Sequence, residues 1–123
     1  MDSKTLFLDI VEFHTNLKLY HFQTKSYGGH KASDTLVESL SEKYDKFFEV
    51  YQGQYGRIPA INHTIRVKTI SDKDIIPYAK AFVLLLKQHS STFCQQRTNS
   101  QICNIMDEMA ADVDQFIYLK TFR

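Results

Sequence analysis

The stretch 21-HFQTKSYGGHKASD-34 reads as the junction between two helices. Before it, Leu6, Ile10, Phe13, Leu17 and Tyr20 recur every three or four positions, the period of a helix with one buried stripe. That spacing predicts a first helix from Ser3 to about Lys25. After the junction, Leu36, Val37, Leu40, Tyr44, Phe47, Phe48 and Tyr51 resume the period and predict a second helix from His30 to about Gln52. Gly28-Gly29 is expected to separate the two, since glycine loses the most backbone freedom on entering a helix. Helices joined by so short a turn lie antiparallel.

Working outward, 53-GQYGRIPAINHTIRVKTISDKD-74 has glycines, a proline and β-branched residues without a helical period, so a long loop is expected between helices two and three. Within it, 65-IRVKTI-70 alternates like a short strand, but an isolated strand is unstable without a partner. Ser71 or Asp74 is expected to cap helix three, with Pro77 in the first turn, where no intrahelical donor is needed. The apolar block 81-AFVLLL-86 follows. A second cap is expected at 98-TNS-100, after which Ile102, Ile105, Met106, Met109, Val113, Phe116 and Ile117 trace helix four. The fold class is therefore all-α: one antiparallel four-helix bundle domain over residues 1–123.

Charge narrows the function classes. With 15 basic and 14 acidic residues the formal net charge is +1, so nothing favours general attraction to nucleic acid or anionic lipid. No segment is a long uncharged apolar run, which argues against a signal peptide or a membrane span and for a cytoplasmic location. Cys94 and Cys103 are nine positions apart, a separation that permits a disulfide; two free thiols in a reducing compartment are the expectation.

The residues that carry chemistry cluster on helix two. At about 100° per residue, Asp34, Asp45 and Glu49 fall within roughly 100° of His30, at the border of the apolar stripe. His21 can meet them across the turn. Imidazole and carboxylate suit ferrous iron, zinc and manganese at neutral pH. Glu38, Glu42, Asp107, Asp112 and Asp114 read instead as solvated helix face, and His14 as a boundary histidine packing by its ring. Glu108 neighbours the stripe of helix four with no partner that can be named. Tyr20 and Tyr27 flank the candidate site and read as packing. The Glu-x-x-His motif of di-iron sites built inside one bundle is absent, so that plan is excluded.

Tyr20-His21-Phe22, then His30, Asp34 four later, Asp45 fifteen later and Glu49 four after that resemble the signature of the Dps-type mini-ferritins. The closing run 112-DVDQFIYLKTF-122 is similar to that family's last helix. The resemblance covers helices one, two and four by motif and helix three only by pattern. It implies a ferritin-like bundle that oxidises Fe(II) to Fe(III) with peroxide or dioxygen, for iron detoxification or storage and oxidative protection. It implies a site shared across a two-fold homo-oligomer interface, with His21, His30 and Asp34 from one subunit and Asp45 and Glu49 from the other. Twelve such subunits form a cage if they enclose a cavity. This chain departs from the family in its shorter His21 to His30 spacing and in lacking the lysine-rich tail, so DNA binding is not carried over. The competing expectation is a non-enzymatic assembly protein that keeps the bundle with a vestigial or zinc-type structural site.

Overall fold

A computed structural model describes residues 1–122. It contains four α-helices, α1 (Ser3–Gln23), α2 (Tyr27–Tyr55), α3 (Ile75–Ser90) and α4 (Ser100–Leu119), and no strand among the described residues. Asp2 caps α1, its carboxylate accepting from the backbone N–H of Lys4 at 3.1 Å. The stripe predicted for α1 is the stripe that is buried: Leu6, Ile10, Phe13, Leu17 and Tyr20 lie in one core with Leu36, Leu40 and Phe47 of α2. Phe82 and Leu86 of α3 and Ile102, Met106, Met109, Val113 and Phe116 of α4 complete it.

α1 packs on α2 and α3, and α4 packs on the same two helices, so the bundle is a ring in the order α1, α2, α4, α3. Contacts along the helices fix their directions. Phe7 meets Phe48 while His21 meets His30, making α1 and α2 antiparallel. Phe13 stacks on Phe82 and Asp9 pairs with His89, making α1 and α3 antiparallel. Tyr55 donates to Asn99 at the start of α4, whereas Lys120 at the far end of α4 lies beside Gly29. Thus α2 and α3 run the same way on opposite sides of the ring, and residues 56–74 must travel the length of the bundle to join them.

That crossover is held by side chains of α1. Asn16, fully buried, donates to the Arg66 carbonyl at 3.0 Å and to the Tyr78 hydroxyl at 2.9 Å. Its own carbonyl accepts from the Lys68 N–H at 2.9 Å. Glu12 accepts from the Arg66 N–H at 2.7 Å. The alternating run 65–70 therefore forms no strand, and one asparagine and one glutamate bond its backbone at Arg66 and Lys68. Asp72 ends the crossover, accepting from Tyr20 at 2.8 Å and from Thr24.

Three expectations are corrected. α2 begins at Tyr27, not His30: Gly28 and Gly29 lie in its first turn, with Ser26 as the cap accepting from the Gly29 N–H at 3.0 Å. Gly29 is glycine for space. A Cβ there would stand 2.5 Å from the Tyr20 hydroxyl and 3.0 Å from the Lys120 ammonium. The loop accordingly shortens to residues 56–74, since α2 runs on through Tyr55. Cys94 and Cys103 are joined as a disulfide rather than left as free thiols. Two short 3-10 turns, Phe93–Gln95 and Arg97–Asn99, bring them together across the α3–α4 connection.

Asp112 is a fourth correction. It is not solvated helix face but a partly buried carboxylate between α4 and α2, contacted by the Ser39 hydroxyl and the Lys43 ammonium. Asp107, Asp114, Glu38, Glu42 and Glu108 are exposed. His14 packs by its ring, edge-on to Tyr44 at 5.4 Å, with Nε2 donating to the Val37 carbonyl at 3.0 Å.

Candidate metal centre

The turn that places the two histidines is three residues long, Thr24 to Ser26, between the end of α1 and the start of α2. Thr24 caps the end of α1, its N–H reaching the Tyr20 carbonyl at 2.8 Å, and its hydroxyl accepts from the Ser26 N–H at 3.1 Å. This tight closure sets His21 and His30 side by side, their rings stacked with centroids 4.0 Å apart and planes 19° from parallel.

Each ring is fixed by the other residue's backbone. His21 Nδ1 lies 3.0 Å from the His30 carbonyl oxygen, and His30 Nδ1 lies 2.9 Å from the His21 carbonyl oxygen. A carbonyl oxygen can only accept, so both Nδ1 atoms carry a proton, and in the neutral form of each ring the lone pair lies on Nε2. Ser33 adds to the lock, its hydroxyl donating to the Gly29 carbonyl at 2.7 Å beside His21 Nδ1. Imidazoles that bind metals are commonly held this way, through the ring nitrogen not used for the metal.

His21 is buried to 7 % exposure while His30 is exposed. Asp34, one turn beyond His30, brings a carboxylate oxygen to 3.9 Å from His21 Nε2 with its side chain 59 % exposed. The structure thus pairs His21 with His30 and sets Asp34 near His21. Asp45 and Glu49 are exposed further along α2, 15 and 19 positions from His30, which is about 22 Å and about 28 Å along a helix. One chain does not unite the five. Among the described residues no three histidine, cysteine, aspartate or glutamate side chains come close enough to hold an ion.

Sequence reasoning missed the polar group that closes this end of the bundle. Asp72, from the far end of the crossover, sits against Tyr20 and Thr24, with the Lys25 N–H at 3.4 Å. The Thr24 hydroxyl bond, supported by those from Tyr20 and Lys25 and by the charge of Lys120, holds its carboxyl below the usual range. Tyr78 shifts the other way, burial pushing its phenol up. The sequence marked Ser71 or Asp74 as the cap after the alternating run and gave no signal for Asp72 between them.

A family model described as a family of unknown function, DUF5856, matches residues 21–119. The chain belongs to that family. The matched range holds all five candidate ligands, the DUF5856 region beginning at His21 itself. The chain is also 42 % identical over 57 residues to an uncharacterized 14.6 kDa protein in the mobD-ri intergenic region of Enterobacteria phage T4. That alignment covers 45 % of this chain and 44 % of the phage protein, less than half of either. No solved structure matches the chain. Among the described residues no helix is long and apolar enough to cross a membrane.

Proposed function

We propose that this chain is a Dps-like, ferritin-like subunit that takes Fe(II) as substrate at a site shared between two copies and oxidises it. The observation that carries the reading is the reciprocal lock of His21 and His30, which leaves Nε2 of each ring free of the backbone and sets His21 Nε2 3.9 Å from the Asp34 carboxylate. The ring of helices with a single long crossover supports it, since ferritin-like bundles are built with one such connection. His21, His30 and Asp34 of one subunit hold the ferrous ion. Asp45 and Glu49 of a two-fold mate supply the harder oxygen ligands that favour the ferric product. Two ferrous ions each give up one electron; hydrogen peroxide takes both and, with two protons, leaves as two waters. Detoxification of iron and peroxide is the outcome, and storage follows if the subunits enclose a cavity.

A second reading has its own observation. The same two imidazole-to-carbonyl bonds tie the end of α1 to the start of α2 without any metal, which suits an assembly protein in which the pair is structural. Zinc or manganese held there without turnover is a variant of that reading. The two are separated by following near-ultraviolet ferric absorbance after ferrous salt and peroxide are mixed with the protein. Growth faster than buffer, lost in Glu49→Ala and in His21→Ala, is expected; Glu49 is exposed, so its replacement leaves the fold intact. Growth no faster than buffer would leave the assembly reading alone.

A further inference from the structure

The run 65-IRVKTI-70 alternates like a β-strand and takes no part in the candidate metal centre. Between residues 57 and 71 the chain makes no turn or bend. Its backbone is fastened to α1 at alternate residues, the Arg66 N–H and carbonyl and the Lys68 N–H bonding to Glu12 and Asn16. Those two side chains stand one helical turn apart, about 6 Å, close to the ~6.6 Å that two residues of extended chain cover. Asn16 acts here as a neighbouring strand would. Its amide gives to the Arg66 carbonyl and takes from the Lys68 N–H, the two bonds that one residue of a parallel strand makes.

In an extended chain the N–H and carbonyl of successive residues leave opposite edges. With Arg66 and Lys68 turned to α1, those of Ile65, Val67 and Thr69 leave the other edge. Among the described residues no hydrogen bond within the chain reaches any of them. The Val67 side chain between them is 57 % exposed. We propose that this edge docks an extended, acidic peptide segment of a partner protein, which adds as an antiparallel strand along residues 65–69. The proposal is independent of the metal reading. Because α1 already holds the segment straight, little of the ordering cost of such pairing falls on this chain.

Charge selects the occupant. From Arg57 to Ser71 the chain carries three cations, Arg57, Arg66 and Lys68, and no carboxylate. Arg66 and Lys68 flank Val67, are exposed and have no ion-pair partner among the described residues. The carboxylates that stand nearby are engaged or lie at the far end of the segment. Glu12 accepts from the Arg66 N–H, Asp72 from Tyr20 and Thr24, and Asp74 shares an open hollow with Lys68 beside Tyr78. A second copy of the same segment is disfavoured, since pairing about Val67 in either direction sets Arg66 and Lys68 opposite cations. A foreign strand reading acid, apolar, acid fits instead. Its apolar residue exchanges both backbone bonds with Val67, and its two carboxylates fall opposite Arg66 and Lys68.

Fluorescence anisotropy with a labelled synthetic peptide of about seven residues, alternating glutamate and valine, tests the inference. Binding is expected with a Kd at or below about 100 μM at low salt, weakened at least about tenfold when lysine replaces the glutamates. Val67→Pro removes the outward N–H, keeps a backbone angle open to extended chain and leaves the bonds at Arg66 and Lys68 in place. It is expected to weaken binding about tenfold or more with the helical circular dichroism unchanged. Proline for the central valine of the peptide should do the same without touching the protein. Arg66→Glu combined with Lys68→Glu should turn the preference to the lysine peptide. No binding by wild type overturns the inference. So does binding indifferent to proline in both strands, which would be an ionic contact alone, and so does tighter binding of a single-stranded oligonucleotide, which would mark a phosphate-binding surface.

Discussion

The two ends of this bundle are fastened by different chemistry. At the end where α3 turns into α4, a covalent bond joins Cys94 to Cys103, and the buried Asn99 accepts from Tyr55 and Gln54 while donating to the Phe93 carbonyl at 2.8 Å. At the opposite end, where α1 turns into α2, there is no covalent tie. Two imidazoles, a serine and the Asp72 carboxylate hold it through hydrogen bonds, around a glycine that admits close approach. The hydrogen-bonded end carries His21, His30 and Asp34, while Asp45 and Glu49 lie along α2 toward the stapled end. The histidine pair is thus held by polar contacts alone, and the covalent tie lies at the far end.

The contrast predicts unequal responses to mutation. Replacing both cysteines by serine removes a closed loop of about ten residues and should cost about 2–3 kcal/mol, seen as a melting temperature roughly 10 °C lower. The loss should appear first in hydrogen exchange of residues 91–104, with the His21 and His30 end unaffected. Gly29→Ala attacks the other end. Its methyl would meet the Tyr20 hydroxyl, so about 1–3 kcal/mol should be lost and the Asp72 contact loosened, visible as faster exchange near Thr24 to Gly29. If the cysteine variant loosened the histidine end as much as its own, the two ends would not be independent.

Asp72→Asn should have the smallest effect, below about 1 kcal/mol near neutral pH, because solvent screens an exposed carboxylate. Its value lies in pH dependence. A carboxyl whose folded value is lowered contributes stability that is fully present above the ordinary carboxylate range and lost as pH falls through the lowered value. Wild type should therefore lose more stability on acidification than Asp72→Asn, with the difference confined to that acid window in paired urea titrations.

The helices were legible because periodicity reports burial directly: each residue assigned to the α1 stripe is in the core. Boundaries failed where tertiary contact overrode local preference. Gly28-Gly29 looked like a break, but the Ser26 cap and the nearness of Tyr20 keep both in the helix. Asp112 looked solvated because its partners, Ser39 and Lys43, stand some seventy positions away in sequence. The histidine pair was legible as proximity and not as geometry, since nothing in the spacing tells which nitrogen faces a carbonyl. Asp45 and Glu49 show the limit of helical periodicity, which put them on the His30 side of α2 although the helix length keeps them apart.

Asn16 reads the crossover one residue at a time, taking the N–H of Lys68 and giving to the carbonyl of Arg66. Six positions after Arg66, Asp72 is pinned to Tyr20, one helical turn beyond Asn16, and to Thr24, just past the end of α1. Between those two anchors the chain has a fixed length. Before them, from Pro59 to Thr64, the side chains are exposed, and residues 60–63 line a cavity with Thr5 and Leu8 near the start of α1. The connector thus meets α1 along its length, by hydrogen bonds in its second half and by a looser contact in its first.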